Sequence, residues 1–140
     1  MKRLWIPIVF VLTLALAACS GAVAEPVTIT LKAEGLKYHP ATIEVTAGQP
    51  VTLVLENADS VEHDFSVIEI PIVMNVTAEP MAGHDMSGLT NEPQLHMAVA
   101  MGQTGSMQFT ASKPGTYEFF CTVPGHKEAG MVGTLIVVGQ

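Results

Sequence analysis

Apolar and polar residues alternate with a period of two along most of this chain, and that pattern leaves few folds open. VTITLKA (27–33), ATIEVT (41–46) and PVTLVLEN (50–57) place an aliphatic residue at every second position. A strand turns successive side chains to opposite faces, so such a segment buries one face and wets the other. His63-Asp64-Phe65-Ser66-Val67-Ile68 alternates again, as do LHMAVAM (95–101), SMQFTA (106–111), TYEFFC (116–121) and TLIVV (134–138). Ala47-Gly48-Gln49-Pro50, Gly102-Gln103-Thr104-Gly105 and Lys113-Pro114-Gly115 are turn sequences between them. About eight short strands without a helical period imply an all-β sandwich or Greek-key barrel. The exception is VTAEPMAGHDMSGLTNEP (76–93), expected as a long loop inserted between strands, with at most one turn of helix.

The N-terminus reads differently. Lys2 and Arg3 precede an apolar run over residues 4–18, interrupted only by Thr13 and too short for the roughly 20 residues of a membrane-spanning helix. A charged start, a short apolar stretch and small residues at its end are the marks of a secretory signal peptide. Leu16-Ala17-Ala18-Cys19 also resembles the bacterial lipobox, in which the cysteine is lipidated and becomes the first mature residue. The expected organisation is therefore a lipoprotein signal peptide at 1–18, a lipidated tether at 19–26 and one domain at 27–140. An ordinary signal cleaved nearby, with Cys19 incidental, is the alternative. Either reading places the protein outside the cytoplasm, on the outer face of the cytoplasmic membrane or in the periplasm.

The chain carries a net charge of −7, and Lys2 and Arg3 lie in the leader while all 13 acidic residues lie beyond it. Such a surface is wrong for nucleic acid, whose phosphates need Lys and Arg. If Cys19 is lipidated, Cys121 has no cysteine left to pair with. A lone thiol in an oxidising compartment is a hazard unless something protects it or uses it.

CTVPGHKEAGM (121–131) suggests the use. Cys121, His126 and Met131 follow one another at five-residue intervals. A thiolate, an imidazole and a thioether suit copper; calcium and magnesium prefer oxygen, and zinc sites rarely recruit methionine. Two histidines and a cysteine with a weak axial methionine make the blue-copper electron-transfer arrangement. The second histidine must come from elsewhere, and His63, opening a strand after the loop Asn57–Glu62, is the candidate. Tyr117, Phe119 and Cys121 share one face by alternation, so the cysteine follows two aromatics inward. The alternative, a buried thiol beside a surface histidine and a core methionine, leaves Pro124-Gly125-His126 and the upstream His63-Asp64-Phe65 as coincidences.

These segments resemble the cupredoxins. The likeness runs through Tyr38-x-Pro40, Ile43-x-Val45, Gly48, Val51, Asn57, His63-Asp64-Phe65, Pro114-Gly115-x-Tyr117-x-Phe119-x-Cys121-Thr122-x-Pro124-Gly125-His126 and Gly130-Met131-x-Gly133. It covers about residues 27 to 139. The Cys-x4-His-x4-Met spacing is similar to that of auracyanins. The resemblance implies a Greek-key cupredoxin sandwich and one type 1 copper ion held by His63, Cys121, His126 and Met131. It also implies one-electron shuttling, rather than enzymatic turnover, between membrane or extracytoplasmic redox proteins, with the carrier acting as a monomer. Many cupredoxins have Asn where this chain has Asp64. That Asp64 accepts a hydrogen bond from Thr122, and that its charge favours Cu(II), are expectations.

Further soft ligands cluster in and beside the long loop: Met81, His84, Met86, His96, Met97 and Met101. An accessory Cu(I) site from Met81, His84, Met86 and His96 is one reading, and it underlies the alternative function of a copper chaperone or buffer. A lid with core methionines is the other reading. Met74 and Met107 read as core, and His39 as a surface residue.

Overall fold

A computed structural model describes residues 24–73, the backbone of 77–79 and residues 90–140. The strands are β1 (Val27–Ala33), β2 (Tyr38–His39), β3 (Thr42–Thr46), β4 (Val51–Asn57), β5 (His63–Val67), β6 (Thr77–Glu79), β7 (Leu95–Val99), β8 (Thr104–Phe109), β9 (Gly115–Phe120) and β10 (Val132–Val138). They form two five-stranded sheets, ordered β2-β1-β4-β8-β6 and β3-β10-β9-β5-β7. No helix occurs among the described residues. The all-β sandwich expected from the alternation is the fold.

Each of the eight expected strands is present, and β2 and β6 correct the count. Two and three residues are too few to show a period. β6 also lies inside the segment expected as a loop. Met74, Met81, His84 and Met86 fall outside the described residues, as do the expected leader and Cys19. β1 runs parallel to β4, with Val27 opposite Val51, and β3 parallel to β10, with Thr42 opposite Thr134. The remaining named pairs are antiparallel.

The facing sides of the sheets make the core. Leu31, Leu53, Leu55, Phe65, Met97, Phe119 and Leu135 are all completely buried, and full burial of such a side chain is worth roughly 1.5–3 kcal/mol. Tyr38 packs edge-on to Phe119 with ring centres 5.1 Å apart, and Phe65 lies 4.9 Å from Phe119 on its own account. Met107 is a core residue too.

One strand breaks the half-buried pattern. Every residue of β5 is buried, because it runs between β7 and β9 and its Asp64 and Ser66 are covered as well as Phe65 and Val67. Ser66 pairs with Phe120 across β5 and β9. Continuing that antiparallel register lays Asp64 beside Thr122 and brings His63 to the loop that follows Cys121.

Candidate metal centre

Cys121 leaves β9 directly after Phe120 and is fully buried. The loop that follows folds back through a chain of backbone hydrogen bonds. The His126 N–H donates to the Val123 carbonyl (3.0 Å), Ala129 to Gly125 (3.0 Å) and Gly130 to Lys127 (2.9 Å). Two closing bonds tie the three sulfur- and nitrogen-bearing residues together: the Met131 N–H donates to the His126 carbonyl (2.9 Å), and the Cys121 N–H to the Met131 carbonyl (3.2 Å). Gly125 and Gly130 have φ of 85° and 97°, a region that costs a residue with a Cβ roughly 1–2 kcal/mol. Glycine at both positions lets the loop return.

His63 reaches the same point from the other direction. Its Nδ1 is 3.9 Å from Cys121 Sγ, and His126 Nδ1 is 3.4 Å from that sulfur. One ligand atom from each of His63, Cys121 and His126 lies within 4.8 Å of the others. His63 is buried and His126 half-buried, with their ring centres 5.0 Å apart. Met131 is completely buried, and its backbone is bonded to both Cys121 and His126.

Around the sulfur lies a buried polar network. The Asp64 N–H donates to Cys121 Sγ (3.4 Å), and the thiol lies 3.5 Å from Asp64 Oδ2, directed at it. The same Oδ2 accepts from the N–H (2.9 Å) and hydroxyl (2.8 Å) of Thr122. Ser66 donates its hydroxyl to Asp64 Oδ1 (2.7 Å), and His96 Nδ1 is 2.9 Å from the Ser66 oxygen. The Tyr38 hydroxyl donates to the Asp64 carbonyl.

A second carboxylate reaches the outer edge of His63. Its Nε2 is 2.9 Å from Asp59 Oδ2, so an ionised Asp59 holds the ring proton on Nε2 and leaves the Nδ1 lone pair facing Cys121. Asn57 shapes this loop. Its amide donates to the carbonyls of Val61 (2.8 Å), Val99 (3.0 Å) and Ala100 (3.2 Å), while its oxygen accepts the Asp59 N–H (3.0 Å).

Burial, and then the Asp64 charge, push the Cys121 thiol of the metal-free protein up to about 12. Burial and the neighbouring His63 lower His126 from its ordinary value. Both shifts favour the uncharged forms of these two side chains, the thiol of Cys121 and the neutral imidazole of His126.

Of the other sequence candidates, His96 is half-buried on β7 and directed at Ser66, Met97 is core and Met101 is 64% exposed. His39 is exposed. Asp59 and Ser66 escaped the sequence reading. Asn57-Ala58-Asp59 has the signature of a side-chain-capped turn, and the four-residue offset from Asp59 to His63 was a further signal. Ser66 carries none beyond its place two residues after Asp64.

Two imidazole nitrogens and a buried cysteine sulfur within 4.8 Å of one another match copper, which takes both ligand types. The chain matches the family described as copper binding proteins, plastocyanin/azurin family, over residues 25–138. It is 32% identical over 117 residues to the copper-resistant cuproprotein CopI of Rubrivivax gelatinosus, covering 84% of this chain and 69% of that one. It is 29% identical over 161 residues to auracyanin-A of Chloroflexus aurantiacus, covering 98% and 97%. The solved structure of auracyanin A, titled a "blue" copper protein, superposes with a TM-score of 0.61 at 26% identity over 81% of this chain and 99% of that one. Fold, donor set and family match agree, and the chain belongs to the cupredoxins, the copper-binding proteins of the plastocyanin/azurin family, as an auracyanin-like member with copper as its cofactor.

Proposed function

We propose that this cupredoxin is a type 1 copper protein carrying single electrons between redox partners outside the cytoplasm, tethered to a membrane through lipid on Cys19. The observation that carries the reading is the enclosure of Cys121 between His63 Nδ1 and His126 Nδ1, in a frame bonded on every side. Copper bound there supplies the Cu(I)/Cu(II) couple. The chain's part is to hold its donors still. Little ligand movement means little reorganisation when the charge changes. Met131, with its backbone locked to both Cys121 and His126, would offer its thioether as a further, weaker donor to copper in this reading. His126, the half-buried member of the three, is the edge through which electrons pass to a partner.

The visible spectrum after one equivalent of Cu(II) tests this. An intense thiolate-to-copper band that disappears on reduction and in Cys121→Ser is the expected result. A colourless protein that binds only Cu(I), with or without Cys121, sinks the reading. For the anchor, Cys19→Ala should release the protein from membranes; unchanged membrane association would refute lipidation at Cys19.

Similarity to a copper-resistant cuproprotein favours a second reading, in which the protein receives and releases copper outside the cytoplasm. It requires a second equivalent of Cu(I), lost when Met81, His84 and Met86 are replaced. The electron carrier requires one copper and redox cycling indifferent to those three residues.

A further inference from the structure

The loop between β4 and β5 carries a carboxylate that the family resemblance does not account for. Asp59 Oδ2 meets His63 Nε2 at 2.9 Å, and Asp59 Oδ1 accepts the Gly35 N–H at 3.1 Å. Gly35 belongs to the tight turn from β1 to β2, closed by the Glu34 N–H donating to the Lys37 carbonyl (3.0 Å). Both central residues of that turn have positive φ, 60° at Gly35 and 57° at Leu36, as a hairpin turn of this hand requires. For a leucine this conformation costs roughly 1–2 kcal/mol, and such strain persists where the surroundings over-determine it.

Three elements therefore converge on one side chain. Asn57 fixes the Asp59 backbone, the strained turn fixes Oδ1, and His63 receives Oδ2. Gly35 and His63 thus engage both oxygens of the Asp59 carboxylate. Its side chain is 24% exposed while the His63 side chain is fully buried. The charge thus lies at the boundary, and the ring it grips lies inside.

We propose that Asp59 is a positioning residue of the copper centre: clamped by the Gly35–Leu36 turn, it orients His63 with Nδ1 toward the metal and favours Cu(II) through its charge. A ring tethered on Nε2 cannot flip or rotate away when the metal is reduced, and a carboxylate partner makes the imidazole a stronger donor to the more charged ion. This rests on the copper reading given above.

The test loads the native chain, Asp59→Ala and Asp59→Asn with copper, then measures the visible band, Cu(II) and Cu(I) affinities by chelator competition, and midpoint potential. Asp59→Ala should weaken Cu(II) binding by about 10–100-fold, with a smaller loss for Cu(I). The potential then rises by about 59 mV for each tenfold difference between the two losses. Asp59→Asn retains an oxygen for Nε2–H but no charge. It should keep more of the affinity and still move the potential upward. In the metal-free chain, nitrogen NMR should find the proton on His63 Nε2 in the native protein and both tautomers in Asp59→Ala. Native affinities and potential in both variants would overturn the proposal and leave Asp59 as a loop-bracing residue. A native chain without the visible band would overturn the copper reading itself, so the two failures are distinguishable.

Discussion

Asp64 Oδ2 accepts two hydrogen bonds from Thr122, 2.9 Å from its N–H and 2.8 Å from its hydroxyl. Each residue directly follows a proposed ligand, His63 and Cys121. One buried carboxylate thereby joins the two strand ends that deliver those ligands, and it adds a negative charge beside the sulfur.

That charge should set the potential. Asp64→Asn can preserve the Thr122 contacts through its amide oxygen while removing the charge 3.5 Å from Sγ. The midpoint potential of the copper-loaded protein is expected to rise by tens of millivolts, about 59 mV for each tenfold loss of Cu(II) affinity relative to Cu(I). Protein-film voltammetry of the two forms decides it, and equal potentials would rule the charge out.

The metal-free protein should lose stability in alkali. Cys121 is raised from 9.0 to about 12 in the fold, so between those values the unfolded chain loses its proton first. Stability from this group is complete below pH 9 and falls by about 1.4 kcal/mol per pH unit toward 12. Tyr38, raised well above 10 by burial and then by Cys121 and Asp64, pulls in the same direction. His126 has the opposite slope: its lowered value costs stability as pH falls below its ordinary 6.5. Urea unfolding from pH 5 to 11 should trace a maximum between these limits, and Cys121→Ser should flatten its alkaline side.

Copper loading should release a proton. At pH 7 the Cys121 thiol is protonated, and binding as thiolate displaces that proton. Apparent Cu(II) affinity should therefore rise about tenfold per pH unit near neutrality. Buffer-corrected calorimetry that found no proton release would contradict the buried, neutral thiol.

Tyr38→Phe should cost about 1–3 kcal/mol of metal-free stability. The Tyr38 side chain is 1% exposed, and its hydroxyl donates to the Asp64 carbonyl. The ring and its contact with Phe119 remain in the variant. Denaturant titration with an unchanged m-value and midpoint would show the hydroxyl to be idle.

Gly133→Ala should be worse. A Cβ there would meet the Phe119 ring and come 2.8 Å from the Ala41 carbonyl oxygen, which is backbone. Overpacking of this kind costs about 1–3 kcal/mol. Phe119 belongs to the strand that ends directly before Cys121, so its displacement should also perturb the copper band. Native stability in this variant would mean the β3–β10 spacing is more compliant than the packing implies.

Much of this was legible in one dimension because its cause is local. Period-two alternation marks a strand that is wet on one side, and β1, β3, β4 and β10 obey it. Cys121, His126 and Met131 lie within a single loop, so their chemistry could be read from spacing and from the Pro124-Gly125 turn. β2 and β6 were too short to carry a pattern. β5 alternates like a surface strand but is buried throughout, because burial depends on what covers a face and not on the residues in it.

The sequence by itself therefore determined the layered β architecture and the loop that carries Cys121, His126 and Met131. Only the tertiary structure decided that His63 meets Cys121, that Asp64 and Ser66 are enclosed around the sulfur, and that Asp59 grips the far edge of His63. The physical reason is reach. Strand period and turn chemistry act over a few residues, whereas the His63–Cys121 and Gly35–Asp59 contacts join positions 58 and 24 residues apart. Their distances exist only once both sheets have closed on a common core.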